Sequence, residues 1–174
     1  MNLKRNMMLV VGSMVLLAAS AAKAVDLDWT DKECVTVDRT FHVCKPSASW
    51  DTQTKDLRDE AVRWVLHRNG PNPIIKLVYD ENATGKTAHD YAKRVRGDLS
   101  TRGLHVEKVD NRVINGRNVS LITANDPDGK LDYLVAVYRD QNKGLKLECT
   151  APKDNFSFFA QEFMSSINSV KFVR

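Results

Sequence analysis

Three cysteines, Cys34, Cys44 and Cys149, are the side chains of this sequence with the widest chemical reach: nucleophile, metal ligand or disulfide partner. Cys34 and Cys44 end the stretch Glu33-Cys-Val-Thr-Val37, Asp38-Arg-Thr40, Phe41-His-Val-Cys44, which reads as a short hairpin. If Val37 faces Phe41, then Cys34 faces Cys44. Directly opposed strand positions lie ~4.5–5.5 Å apart, within disulfide reach. A Cys34–Cys44 bridge is therefore expected, with Cys149 paired to either partner as the competing arrangements. Cys149 falls on the apolar face of its own strand and reads as a buried thiol packing as a small hydrophobe. A nucleophilic role needs a base beside it, and none can be assigned.

The remaining candidates are weaker. His42, His67, His89 and His105 show no short metal-ligand spacing, so they read as surface or strand-face histidines. Asn82-Ala-Thr-Gly85-Lys86-Thr87 follows a strand and opens a helix, as a phosphate-binding loop does. The first glycine of that motif is replaced by Asp80, an anion that would repel phosphate, so a loop and a helix cap are the better reading. Asp126 and Asp128 flank Pro127 before Gly129, but the calcium-loop spacing with its closing bidentate Glu is missing, which leaves a plain turn. Gly-x-Ser-x-Gly does not occur. The sequons at Asn82, Asn118 and Asn155 matter only in a host that glycosylates its secreted proteins. No residue is assigned to catalysis, to a cofactor or to a metal, and enzymatic activity is not expected.

The start of the chain sets the compartment. Lys4 and Arg5 precede an uncharged run from Met7 to Ala22, and Ala22-Lys23-Ala24 follows. A positive start, an apolar middle and a small-x-small end make a secretory signal peptide, with cleavage expected after Ala24. The run falls short of the ~20 residues that span a bilayer, so residues 25–174 are expected as one exported domain, periplasmic or secreted. Three of the 26 basic side chains lie in the leader; the other 23 stand against 22 acidic ones. The near-neutral balance gives no support to a nucleic-acid partner. Export also places the cysteines where disulfides persist.

The elements that must position these residues centre on Leu131 to Ile167. Leu131–Tyr138 is apolar on both faces, as a covered strand is. Leu145, Leu147 and Cys149 alternate with Lys146 and Glu148, as in a strand with one wet face. A polar loop ending in Gly144 joins the two strands. Asp154 is expected to cap a helix whose Phe156, Phe159, Ala160, Phe163 and Ile167 form one stripe. Earlier in the chain, Pro46 ends the first hairpin and begins a turn, and residues 51–60 are a short helix or an irregular connection. Residues 61–68 and 74–79 read as two strands around the turn Asn69-Gly-Pro-Asn-Pro73. Thr87 caps a helix with Asp90 as the acidic partner of a capping box, Tyr91, Ala92, Val95 and Leu99 face inward, and Gly103 stops it. Asn115-Gly116 joins Val106–Ile114 to Arg117–Ala124 in a hairpin. A last short strand is expected at 170–173. Hairpins with two helices inserted read as α+β with an antiparallel sheet.

In that order the pieces resemble the PsbP family, whose fold is shared by DcrB-type bacterial envelope proteins and by a Ran-binding nuclear-transport factor. The resemblance rests on Phe41-His-Val-Cys-Lys-Pro46 with Trp50, the helix before Gly103, and the Asn115-Gly116 hairpin. Leu145-Lys-Leu-Glu-Cys-Thr-Ala-Pro152 and Phe163-Met-Ser-Ser-Ile-Asn-Ser-Val-Lys-Phe172 complete it. It implies an antiparallel sheet of about six to eight strands flanked by helices, an α/β/α sandwich. It also implies an accessory or binding role rather than catalysis, and it carries over no functional residue. The expectation is an exported binding protein of the bacterial envelope with a protein partner, Trp50, Trp64, Tyr133 and Tyr138 being the aromatics to follow. A carrier of a small ligand or lipid, with a pocket between helix and sheet, is the first alternative. A secreted hydrolase with a dispersed site is the second.

Overall fold

The computed structural model describes residues 28–31, 34–53, 62–68 and 73–173. The expected signal peptide, most of the 51–60 connection and most of the Asn69–Pro73 turn lie outside the described residues.

The hairpin at Asn115-Gly116 shows how local sequence builds the molecule. Both residues take positive φ (50° and 73°), which a two-residue turn matched to strand twist requires. The turn sets β7 (His105–Ile114) against β8 (Arg117–Asn125) with Ile114 facing Arg117 and Val106 facing Ala124. β8 pairs with β9 (Leu131–Asp140), and β9 with β10 (Lys143–Pro152). β10 also pairs with β6 (Ile74–Asp80), β6 with β5 (Val62–Arg68), and β5 with β4 (Trp50–Gln53). The result is one antiparallel seven-stranded sheet, in the order β4-β5-β6-β10-β9-β8-β7.

Each face of that sheet is covered. Helix α1 (Ala88–Thr101) buries Tyr91, Ala92, Val95 and Leu99 against Ile122, Ala124, Val135 and Val137. Its start is the expected capping box between Thr87 and Asp90. Its end is a Schellman motif: the Gly103 N–H donates to the Ser100 carbonyl and the Leu104 N–H to the Leu99 carbonyl, with Gly103 at φ 84°. The opposite face carries the larger core. There α2 (Lys153–Ser169) packs Phe159, Phe163 and Ile167 on Leu134, Ala136, Leu145, Leu147 and Cys149.

Beside α2 lies a second sheet, which the sequence reading did not separate from the first. It runs β1 (Asp28–Asp31), β2 (Cys34–Val37), β3 (Phe41–Cys44), β11 (Lys171–Phe172). Its residues Val35, Val37, Phe41 and Val43 are wholly buried in the same core. Strand β11 thus returns after α2 to pair with β3, Phe172 opposite Phe41.

Four expectations need correction. Residues 50–53, read as turn and connection, form edge strand β4, because Trp50 is buried under α2 and its backbone pairs with Arg68. The face of β10 carrying Lys146 and Glu148 is not wet. Glu148 is only 6 % exposed, since β10 is the middle strand of the seven. Asp154 does not cap α2: Pro152 stands at the cap position with no side-chain hydrogen bond, and Asp154 lies in the first turn. Gly144 is not part of the β9–β10 loop. The turn is Gln141-Asn142, with Gln141 at φ 51°, and Gly144 sits inside β10 opposite Arg139.

Candidate functional site

At one end of the large sheet, the start of α1, the β7–β8 turn and the end of β9 converge. Two adjoining depressions open there, with volumes of about 370 and 300 Å³, sharing Thr87 and Asn118 in their walls. Three local devices place the walls. The capping box fixes Lys86 and Thr87, whose N–H groups both donate to the Asp90 carboxylate. The Asn115 side-chain amide donates to the carbonyls of Asn168 and Val170, which ties the β7–β8 turn to the end of α2. Arg139 reaches across from β9 and donates to the Lys86 carbonyl at 3.0 Å.

The walls carry four cationic side chains, Lys86, Arg112, Arg117 and Arg139, and among the described residues no carboxylate. The counter-charges stand outside. Asp110 holds Arg112 through two hydrogen bonds at 3.1 and 3.2 Å, and Asp140 lies 3.9 Å from Arg117. Arg117 is also stacked 4.7 Å over the Phe172 ring, which fixes its direction. The Arg139 Nε is buried without a hydrogen-bond partner among the described residues. Val113, 70 % exposed, adds an apolar contact on the outer wall. The site offers cations, amide and hydroxyl groups and one aliphatic side chain, which suits a polar, negatively charged segment of chain rather than a lipid tail.

The depressions are not built for the chemistry sought in the sequence. The amides that a phosphate would take at the start of α1 already hold Asp90. Hydrogen bonds from Thr87 and from the Lys86 amide keep that carboxyl below its ordinary value of 3.8. Ser120, His89 and Asn111 meet, but as two partners of one acceptor: the Ser120 hydroxyl donates to Asn111 Oδ1 at 2.7 Å, and His89 Nδ1 lies 3.4 Å from the same oxygen. An amide oxygen is not a base, so this contact does not activate the serine.

Other candidates fall elsewhere. Cys149 is completely buried in the α2 core, where burial pushes its thiol pKa up, away from nucleophilic use. Trp50, Trp64 and Tyr138 are buried as well, and the Tyr138 hydroxyl donates to the Ile167 carbonyl. Tyr133 packs half-buried against the α1 core. Asp126 accepts the N–H groups of Lys130 and Leu131, as the plain-turn reading requires. Cys34 faces Cys44 in the expected register and is bridged to it. The cationic cluster escaped the sequence reading because its members are scattered over 53 residues and only β-pairing gathers them. The one available signal was Gly85-Lys86-Thr87 at a helix start.

No family model matches the chain, and no curated protein matches it. Solved structures do. The solution structure of the cyanobacterial PsbP (CyanoP) from Synechocystis sp. PCC 6803 superposes with a TM-score of 0.61 at 13% identity, over 90% of this chain and 98% of that one. The crystal structure of LpqN, described as involved in cell envelope biogenesis of Mycobacterium tuberculosis, does so with a TM-score of 0.59 at 12% identity, over 77% and 83%. The fold is PsbP-like. Among the described residues no helix is long and apolar enough to cross a membrane, and the disulfide fits an oxidising compartment.

Proposed function

We propose that this chain is an exported, non-enzymatic accessory protein of the bacterial envelope that holds an acidic segment of a protein partner in the groove between α1 and the β7–β8 turn. Four cations lining a groove without a carboxylate are the observation that carries the reading. Such a lining raises the local concentration of an acidic partner and directs its approach. LpqN, a structural neighbour tied by its description to envelope biogenesis, supports the setting. Residues 1–24 are the leader that delivers the protein, leaving residues 25–174 as one domain. Nucleic acid is not the partner, because the exported part is close to neutral.

The test is affinity capture from an envelope fraction with the wild-type chain and with R117E/R139E. One partner recovered by the wild type, displaced by salt and lost from the charge-reversed variant, supports the reading. Equal recovery by both proteins, at equal folded fraction by circular dichroism, sinks it.

A further inference from the structure

On the small sheet, Cys34 and Thr36 of β2 face Cys44 and His42 of β3, on the side turned away from Val35, Val37, Phe41 and Val43. The His42 Nε2 lies 3.7 Å from the Cys44 Sγ, and its Nδ1 lies 3.2 Å from the Thr36 hydroxyl. One ligand atom from each of Cys34, His42 and Cys44 falls within 4.8 Å of the others. We propose that reductive opening of the Cys34–Cys44 disulfide turns this cluster into a binding site for a thiophilic cation, Zn2+ in the first instance. The ligands would be both sulfurs and the His42 Nε2, with water as the fourth.

The geometry is close to what the ion needs. Tetrahedral zinc with Zn–S near 2.3 Å and Zn–N near 2.0–2.1 Å sets ligand atoms about 3.5–3.8 Å apart. The His42 Nε2–Cys44 Sγ separation is already in that range, and the two sulfurs must part to reach it. Thr36 does for His42 what an outer-shell partner does at a metal centre: it occupies one ring nitrogen and aims the other. Opening the bridge leaves the other supports of β3 in place. β11 pairs with it at Phe41 and His42, the Cys44 N–H donates to the Ser169 hydroxyl at 2.8 Å, and the Ser166 hydroxyl donates to the Cys44 carbonyl at 2.5 Å. His42 and Cys44 are half-buried, within reach of a reductant and an ion.

The chemistry balances in two steps. A protein dithiol gives two electrons and two protons to the disulfide and becomes a disulfide itself, leaving Cys34 and Cys44 as thiols. Zn2+ then binds both sulfurs and displaces their two protons. The exported protein would thus take up the ion only under reducing conditions.

The test compares Zn2+ binding by the full chain before and after reduction with a phosphine, using a chromophoric chelator as competitor. Near-ultraviolet circular dichroism monitors the fold. One ion per reduced chain and none per oxidised chain is the expected result, with binding at least ~10-fold weaker in H42A. Co2+ in place of Zn2+ should give sulfur-to-cobalt charge-transfer absorption, and Cu+ should compete, as soft ligands favour it. Equal affinity of oxidised and reduced chains, or of H42A and wild type, overturns the proposal. Loss of the near-ultraviolet signal on reduction does the same, since the site depends on a standing β3.

Discussion

Glu148 stands on the middle strand of the large sheet with its carboxylate all but sealed from water. Both its oxygens accept from the Arg102 guanidinium at 3.2 Å, and the Lys146 ammonium lies 3.8 Å away. Arg102 is the C-terminal cap residue of α1, so the pair fastens the helix end to the sheet. Removing the arginine strands a buried charge, which costs more than the pair itself contributes. Because Arg102 is about half exposed and Lys146 remains, R102A should destabilise the protein by on the order of 1–3 kcal/mol in urea unfolding. Adding E148Q to that variant should recover part of the loss, because the amide carries no charge. A double variant weaker than the single one would refute this account.

Elements meet at Gly144. Its φ is not unusual, yet a Cβ there would lie 2.6 Å from the Tyr91 ring and 2.8 Å from the Ala83 methyl. Tyr91 is the first large inward residue of α1, so this contact sets how closely the helix lies on β10. G144A should therefore destabilise by about 1–3 kcal/mol, as overpacking does. Gly97, in the exposed middle of the same helix, is the contrast: a Cβ there meets nothing within 4 Å. G97A should stabilise by about 0.5–1 kcal/mol through helix propensity. Thermal unfolding of the two variants in opposite directions is the check. Gly97 could be read from helix propensity alone. Gly144 could not, because its neighbours come from residues more than 50 positions away.

The two sheets are joined by a polar lock at the β2–β3 turn. Asp38 accepts the Tyr79 hydroxyl of β6 and the Lys143 ammonium of β10, each at 2.5 Å, and Lys143 also reaches the Thr40 hydroxyl. Desolvation is the largest single influence on the Asp38 carboxyl and pushes its pKa up. The hydrogen bonds from Lys143 and Tyr79, with the charges of Lys143 and Arg39, outweigh it and hold the pKa below the ordinary 3.8. A depressed carboxyl contributes stability that is present above 3.8 and lost as pH falls through its folded value. Wild type should thus lose stability below pH 4 more steeply than D38N, as measured by denaturant midpoints across pH 2–6. Parallel curves would remove Asp38 from the lock. With Val35, Val37, Phe41 and Val43 buried in the shared core, this contact makes the small sheet part of the same body as the large one.

What the chain decides for itself is whatever depends on near neighbours. Asn115-Gly116 sets a hairpin register, Thr87 and Asp90 start a helix and Gly103 ends it. The spacing of Cys34 and Cys44 about a three-residue turn brings the sulfurs together. Each of these follows from backbone sterics or hydrogen bonds acting within about ten residues. Everything decided by strand order needed the folded molecule. Whether Glu148 is wet depends on its strand being central. Whether Trp50 is turn or strand depends on α2 lying over it. The four cations come together because β9 and β8 bring Arg139 and Arg117 beside Lys86, which lies 31 residues before Arg117 in the chain. Long-range pairing is selected by burial of the whole core rather than by any local preference, and for that reason those features leave little mark on the linear text beyond Gly85-Lys86-Thr87 at a helix start.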